Sequence, residues 1–402
     1  MASSGGDTSN NPTTSKDSRS LLAIVLDVST CAWGERDLRR AANDKARHAQ
    51  NKRSVGPATL EEVLKAVQAF ATAFGSLERG SGLLIIAVAG NESAVVFPRK
   101  DHLARYFSSP GTNACYDLRR IHVDLTEGVA ELMGRSSSKL SAAVAAAANS
   151  SKPQEAVPHT LSSSSANTAA HSSSTSAAMA ASFSLALCCI NRFLVATRTG
   201  VGVSAVQSEH FLGGSGNDGG VLAMIGGGDS SNKKKPKKAN AWSPRILLVQ
   251  ASEDRSRDYN AFMNCAFAAV KHNVVVDGCF IPSGGGPSAP TSSAFVEQAC
   301  DLSSGVFLAP SGAAQVGGAL TEVLMSVFLA PRSCRASMNL PSINKVDFRA
   351  RCFETGEVVD SAFVCNQCLS IFKKNPKDFC PTCQAAIMVN SAKKKLRTDT
   401  SL

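Results

Sequence analysis

The sequence predicts an α/β protein: a doubly wound, mostly parallel sheet covered by helices on both faces, followed by a small cysteine-rich domain. Two observations predict the sheet. Short continuous apolar runs, such as 20–27 and 82–89, are typical of buried parallel strands. From residue 245 onward, such runs alternate regularly with helical segments. The small domain is predicted by its cysteines, because four of the 13 in the chain cluster near the C-terminus.

The first half of the predicted sheet begins with the strand 20–27, which ends in an acidic residue, Asp27. The segment 59–74 is predicted to be a helix, because Thr59 and Glu62 have capping-box spacing before a run with helical apolar periodicity. The next predicted elements are strands at 82–89 and 94–97 and a helix at 177–194.

The second half of the predicted sheet shows the clearer alternation. A strand that is followed by a helix and a further parallel strand requires a right-handed crossover, which places helices on both faces. The predicted elements are strand 245–250, helix 258–271, strand 274–281, helix 291–300, strand 305–308 and helix 314–329.

Composition divides the chain further. The polar start has no apolar core of a secretory signal, and no clean run of 18 apolar residues predicts a membrane span, so we expect a soluble intracellular protein.

Two low-complexity insertions, one rich in Ser and Ala and one rich in Gly, Ser and Lys, are expected to be flexible. The predicted organisation is a disordered leader at 1–19, the α/β domain at 20–333 with insertions at about 136–176 and 199–240, a cysteine-rich finger at 341–388 and a basic tail at 389–402.

The finger has the strongest motif in the chain, two C-x2-C pairs separated by eleven residues. Each pair forms a tight turn that directs two thiolates at one ion, and four thiolates favour Zn²⁺ in a closed, structural site. The predicted ligands are Cys365, Cys368, Cys380 and Cys383. A ubiquitin-ligase RING fold is disfavoured because it needs eight ligands, and Cys352 is predicted to be a core residue instead.

The net charge of +10 is partly local, because two basic tracts at 233–238 and 393–397 contain no acidic residue. Two solvated tracts on an otherwise near-neutral chain account for this charge better than a basic DNA-binding face does. The first tract also suits a nuclear import receptor. Its candidate recognition residues are Lys233, Lys234, Lys235, Lys237 and Lys238.

The end of the first strand has the spacing of a metal-ion-dependent adhesion motif, in which an acid and two hydroxyls hold Mg²⁺ at the carboxyl edge of the sheet. The corresponding residues are Asp27, Ser29 and Cys31, and a thiol is a poor ligand for Mg²⁺. The strand at 245–250 continues as Ala-Ser-Glu-Asp rather than Thr-Asp-Gly. We therefore predict a degenerate site, in which Asp27 and Ser29 hydrogen-bond to backbone groups. The alternative is a domain that binds a ligand through a metal.

No motif predicts an enzyme. The sequence has no P-loop, nucleophile elbow or His/Glu metal helix, and the glycine runs at 213–220 and 226–228 lack the strand–turn–helix context of a phosphate site.

Three segments resemble one family, and the most specific is VCNQCLSIF followed by CPTC in the finger. The family is the smaller von Willebrand A-type subunit of the transcription and DNA-repair factor TFIIH. The other two segments are SLLAIVLDVSTCAWG and RILLVQASEDRSRDYNAFMNCAFAAVKHNVVVDGCFI.

The resemblance implies a non-catalytic, nuclear TFIIH core subunit that acts in promoter opening and nucleotide excision repair. It further implies that Cys365, Cys368, Cys380 and Cys383 bind zinc and that the Mg²⁺ site is lost. The implied partners are other TFIIH core subunits, especially the larger A-domain subunit with a zinc-binding module.

A nucleic-acid-binding zinc ribbon remains an alternative. The finger contains basic residues with two phenylalanines near them, although those rings are expected to form its minimal core. The residues concerned are Arg349, Arg351, Lys373, Lys374 and Lys377, with Phe363 and Phe372.

Overall fold

The computed structural model describes the strands, the helices and most of the finger. The described residues are 19–50, 57–77, 80–108, 117–150, 177–199, 242–283, 290–315, 318–341, 346–355, 357–376 and 378–386. The predicted leader up to residue 18, both basic tracts, the C-terminal tail and most of both insertions lie outside them.

The central sheet has six strands in the order β3-β2-β1-β4-β5-β6. Every neighbouring pair is parallel except β2 and β3, which are antiparallel. This confirms the predicted α/β fold with a mostly parallel sheet. The strands are β1 Arg19–Asp27, β2 Gly82–Ala89, β3 Glu92–Phe97, β4 Trp242–Gln250, β5 Val275–Phe280 and β6 Phe307–Leu308.

Helices follow the strands on both faces of the sheet. They are α1 Thr30–Gln50, α2 Leu60–Leu77, α3 Lys100–Ser108, α4 Ile121–Ser150, α5 Met179–Thr199, α6 Tyr259–Lys271, α7 Ala294–Leu302, α8 Gly318–Phe328 and the short α9 Arg332–Arg335.

The residues of β1 alternate between two separate hydrophobic cores. Leu22, Ile24 and Leu26 pack in one core with residues of α2, α4 and α8. Leu21, Ala23 and Val25 pack in the other with residues of α5, α6 and α7. Burial on both faces explains why the strand is an unbroken apolar run, and it confirms the doubly wound arrangement.

Three helical features differ from the sequence prediction. The helix α4 continues to Ser150, so residues 136–150 of the insertion that we expected to be flexible are helical. Alanine has the highest helix propensity, which explains how this segment continues a helix despite its weak apolar pattern. The sequence patterns predict none of the helices α1, α3, α4 and α9, and α7 begins three residues later than expected because Ser293 caps it.

The segment Met179–Thr197 of α5 is long and apolar enough to cross a membrane by length and composition alone. In the structure, its Phe183, Ile190 and Phe193 are buried in the second core of the α/β domain. The helix is apolar because it packs between the sheet and α6.

The finger consists of two short hairpins. The strand β7 Ala350–Arg351 pairs with β8 Val358–Val359, and β9 Phe363–Val364 pairs with β10 Ile371–Phe372, both antiparallel. The finger contacts the α/β domain where Gln298 Nε2 of α7 donates a hydrogen bond to the Asp347 carbonyl at 2.6 Å.

Candidate functional site

The two C-x2-C segments form turns with the same backbone hydrogen bonds. In the first turn, the N–H of Cys365 donates to the Ser370 carbonyl and the N–H of Leu369 donates to the Cys365 carbonyl. In the second, the N–H of Cys380 donates to the Ala385 carbonyl and that of Gln384 to the Cys380 carbonyl. Leu369 and Gln384 occupy equivalent positions and both have positive φ, 58° and 61°. The finger therefore presents its two cysteine pairs in one repeated local geometry.

The four sulfurs of this cluster lie within 4.8 Å of one another. Cys365 Sγ is 3.8 Å from Cys383 Sγ, and Cys368 Sγ is 3.7 Å from Cys380 Sγ. A tetrahedral Zn²⁺ with bonds of about 2.3 Å to sulfur separates its ligands by about 3.8 Å. The four thiols brought together as predicted therefore fit one metal ion of that size.

The pKa values of two of these thiols are shifted in opposite directions. Backbone N–H groups of Cys368 and Gln367 point at the Cys365 sulfur and lower the pKa of its thiol. The Cys383 thiol accepts a hydrogen bond from the Ala385 backbone, yet its three sulfur neighbours raise its pKa to about 12. Crowded thiolates repel one another, and a bound divalent cation removes that repulsion.

The residues around the cluster form a very small core. Phe372 is buried beside Cys365 and Cys380, with Phe353 packed against them. Phe363 was also expected in this core, but half of it is exposed, whereas its cross-strand partner Phe372 is buried.

Cys352 is buried, as predicted for a core residue. Its sulfur accepts a hydrogen bond from the Lys373 backbone at 3.3 Å and is not part of the four-sulfur cluster.

Two of the basic residues proposed for nucleic acid already have acidic partners. Arg349 pairs with Asp347 at 2.8 Å and with Asp360 at 3.3 Å. Lys373 pairs with Glu357 at 2.5 Å. These pairs reduce the positive field that a phosphate backbone would meet. Lys377 and the five candidate import lysines, Lys233, Lys234, Lys235, Lys237 and Lys238, lie outside the described residues.

At the carboxyl edge of the sheet, the buried Asp27 carboxylate accepts three backbone hydrogen bonds. Oδ1 accepts from the N–H of Ser29 at 3.0 Å. Oδ2 accepts from Ala251 at 3.1 Å and from Ser252 at 2.7 Å. Ser29 Oγ accepts a long hydrogen bond from the Gly90 N–H at 3.5 Å, whereas Cys31 lies in the first turn of α1. Both carboxylate oxygens of Asp27 are therefore engaged by backbone donors.

The sequence prediction missed a charged residue at this edge. Arg36 of α1 is only 1% exposed, and its guanidinium reaches carbonyl groups that follow β4 and β5. Arg36 follows Asp27 by about two helical turns. This position was only a weak signal of a buried site residue, because surface helices commonly contain arginine.

The fold and the cysteine cluster define a von Willebrand A-like domain followed by a module whose four cysteines could hold one metal ion. The model of the family described as "Transcription factor Tfb4" matches residues 19–384. The chain therefore belongs to the Tfb4 family.

Curated relatives share about a third of their aligned residues with the chain. It is 36% identical over 159 residues to the "General transcription and DNA repair factor IIH subunit tfb4" of Schizosaccharomyces pombe, covering 40% of this chain and 49% of the relative. It is also 36% identical over 140 residues to "General transcription factor IIH subunit 3" of Dictyostelium discoideum, covering 35% of this chain and 34% of the relative. These alignments thus span half or less of the relatives' lengths.

Among solved structures, the "Crystal Structure of the TFIIH p34 N-terminal Domain" superposes with a TM-score of 0.43 and 18% identity. The superposition covers 76% of this chain and 96% of that one.

Proposed function

We propose that this protein is a non-catalytic subunit of the TFIIH core complex, acting in transcription initiation by RNA polymerase II and in nucleotide excision repair. The observation that carries the proposal is the family match over residues 19–384, which includes both the A-type domain and the cysteine module. Relatives aligned to parts of the chain are named as subunits of general transcription and DNA repair factor IIH. The protein would contribute contacts to the complex and leave ATP-driven chemistry to other subunits.

In this proposal, the finger binds one structural zinc ion. Its ligands are Cys365, Cys368, Cys380 and Cys383, whose sulfur spacing suits the ion. Because so few apolar side chains are buried in the finger, the metal supplies most of its stability. All four ligands come from the protein, so the ion has no open position for catalysis.

The A-type domain is proposed to hold its partners through apolar and hydrogen-bonded surface rather than through a shared Mg²⁺. Asp27 is buried and bonded to backbone groups, so it offers no open ligand to a metal that a partner carboxylate could complete. The proposed partners are other TFIIH core subunits, especially the larger A-domain subunit with a zinc-binding module. The proposed compartment is the nucleus.

Affinity purification of the tagged full-length chain from a nuclear extract, followed by mass spectrometry, tests the function. TFIIH core subunits should be recovered in constant proportion, with the larger A-domain subunit among them, and their recovery should be the same in buffers with and without added Mg²⁺. Recovery of a reproducible assembly that lacks every TFIIH subunit would refute the proposal. Binding of the chain to duplex DNA with a steep salt dependence and no TFIIH partner would favour the zinc-ribbon alternative.

A further inference from the structure

Three strand ends meet at the carboxyl edge of the sheet, and each continues into a loop. Asp27 ends β1, Ala251 and Ser252 follow β4, and Ile281 and Pro282 follow β5. In an A-type domain with an intact adhesion motif, a divalent cation lies at this edge. Here the side chains of Arg36 and Trp33 together reach all three loops.

The Arg36 guanidinium donates hydrogen bonds to carbonyls of two of these loops. Its Nη2 donates to Ala251 O at 2.6 Å and to Ile281 O at 2.5 Å, and its Nη1 donates to Pro282 O at 3.0 Å. The guanidinium lies over the Trp33 ring at 4.9 Å from its centroid. Trp33 Nε1 in turn donates to the backbone carbonyl of Asp27 at 2.9 Å, which joins the third loop to the same assembly.

One peptide group lies between the negative and the positive side chain. The peptide that links Ala251 to Ser252 donates its N–H to Asp27 Oδ2 at 2.7 Å and accepts from Arg36 Nη2 at its carbonyl. Charges at both ends of a peptide polarise it in the same direction and strengthen both hydrogen bonds. Asp27 is fully buried and Arg36 nearly so, and each charge would be costly without the other.

The electrostatic balance at Arg36 agrees with this arrangement. Burial lowers the pKa of Arg36 to about 10, while attraction by Asp27 opposes that decrease. At neutral pH the guanidinium is therefore charged. The neighbouring Arg255 has a different role, because its donors serve the turn between β2 and β3, at Asn91 Oδ1 and Gly90 O.

We propose that Arg36 is an internal cation that takes the place of the divalent metal, so that Asp27, one peptide group and Arg36 hold the ends of β1, β4 and β5 together. The edge needs no ion for its order, and it offers no metal to an acidic ligand. The inference depends on the contacts of this edge and not on the identity of the complex.

A double-mutant cycle in the full-length chain tests whether the two charges are coupled. Unfolding by urea is followed by tryptophan fluorescence, since the only two tryptophans of the chain are Trp33 and Trp242 of the A-type domain. Arg36→Gln keeps hydrogen-bond donors but removes the charge, and Asp27→Asn removes the opposite charge. Arg36→Gln should lower the folding equilibrium constant in both backgrounds, the wild type and Asp27→Asn. The decrease in the wild type should be at least about tenfold larger than the decrease in Asp27→Asn. Equal losses in both backgrounds would overturn the proposal, because a purely packing role gives additive effects.

Three further measurements complete the test. Millimolar MgCl2 should leave the unfolding curve of the wild-type chain unchanged, and a clear stabilisation by Mg²⁺ would overturn the proposal. Arg39→Gln is the matched control, since Arg39 is on the same helix and reaches Ser283 at 3.1 Å but is exposed. It should show no coupling to Asp27. If Arg36→Gln does not fold, Arg36→Lys takes its place, because it keeps the charge and loses only the branched guanidinium. The smaller loss of folding stability in this variant must still depend on Asp27. A loss that is independent of Asp27 would count against the inference.

Discussion

Arg335 and Asp277 form a buried ion pair with two parallel hydrogen bonds, at 2.7 Å from Nη1 to Oδ1 and 2.6 Å from Nη2 to Oδ2. Asp277 lies in the middle of β5, and Arg335 is at the end of α9, just past the last large helix of the A-type domain. The Asp277 carboxylate also accepts the Val306 N–H at 3.0 Å. The pair therefore holds the segment that leads to the finger against the central sheet.

Removing one member of this pair should be strongly destabilising. Asp277→Ala leaves a buried guanidinium without its carboxylate, and we expect a loss of about 3–5 kcal/mol in the free energy of unfolding. Denaturant unfolding followed by tryptophan fluorescence measures it. Arg332→Ala is the control, because Arg332 is exposed on the same short helix and should change stability very little. Equal effects of the two substitutions would contradict the structural role of the pair.

The proposed zinc site predicts different behaviour for two exposed cysteines. Cys383→Ser should unfold the finger and release the metal, since structural zinc contributes roughly 10–16 kcal/mol to such modules. Cys334→Ser removes a thiol that is also exposed but lies outside the cluster, so zinc content and fold should persist. Elemental analysis of the purified chain and hydrogen exchange of residues 346–386 report the outcome. A zinc-free wild-type chain with a protected finger would rule out the metal's role.

The capping box that begins α2 predicts a pH-dependent contribution to stability. Thr59 N–H donates to Glu62 Oε2 at 2.9 Å, Glu62 N–H donates to Thr59 Oγ1 at 3.3 Å, and Arg40 pairs with Glu62 at 2.8 Å. Partial burial would raise the pKa of Glu62, but the hydrogen bonds from Arg40 and Thr59 outweigh it and hold the pKa below its ordinary 4.5.

The depressed pKa means that Glu62 stabilises the fold above pH 4.5 and loses this contribution as the pH falls through its folded-state value. Glu62→Gln should cost about 1 kcal/mol at pH 7, and the difference from wild type should disappear in acid. Urea titrations at several pH values measure it. Glu61→Gln is the matched control, because Glu61 is exposed and pairs only with Lys65 in the described residues. A difference that persists unchanged below pH 3 would contradict the assignment to ionised Glu62.

Gly305 is predicted to tolerate no side chain. A Cβ at this position would lie 1.8 Å from the Val276 carbonyl oxygen, which is a backbone atom and cannot rotate away. Gly305→Ala should therefore destabilise the domain by several times the roughly 1 kcal/mol effect of an ordinary glycine substitution. Gly34→Ala on α1 meets no atom within 4 Å and should stabilise the helix instead. Thermal unfolding of the two variants should shift in opposite directions.

The basic tract at 233–238 is predicted to direct nuclear import. A cytoplasmic fluorescent reporter that carries residues 225–245 should accumulate in the nucleus, and replacement of the five lysines by glutamine should abolish this. A reporter that stays cytoplasmic would assign import to another part of the chain, such as 393–397.

Local patterns in the sequence predicted most of this architecture. The apolar run that ends in Asp27, the capping box of Thr59 and Glu62 and the paired C-x2-C motifs depend on neighbours within a few residues, so they were visible without the fold. Arg36 was missed because its partners at 251, 281 and 282 are more than 200 residues away along the chain. The helix α1 was missed for a related reason. Apart from buried Trp33, it is held at the sheet edge by polar contacts, and its sequence contains few large apolar residues.

The strand order has a consequence for synthesis of the protein on the ribosome. One side of β1 pairs with β2, where Leu21 lies opposite Gly82, but its other side pairs with β4, where Arg19 lies opposite Trp242. At an elongation rate of about 5–20 residues per second, the second partner emerges roughly 10–45 s after the strand itself. During that interval, an apolar strand with an unsatisfied edge is exposed to every nascent chain nearby. The order of the central strands thus predicts that the nascent A-type domain needs this edge shielded until β4 has emerged.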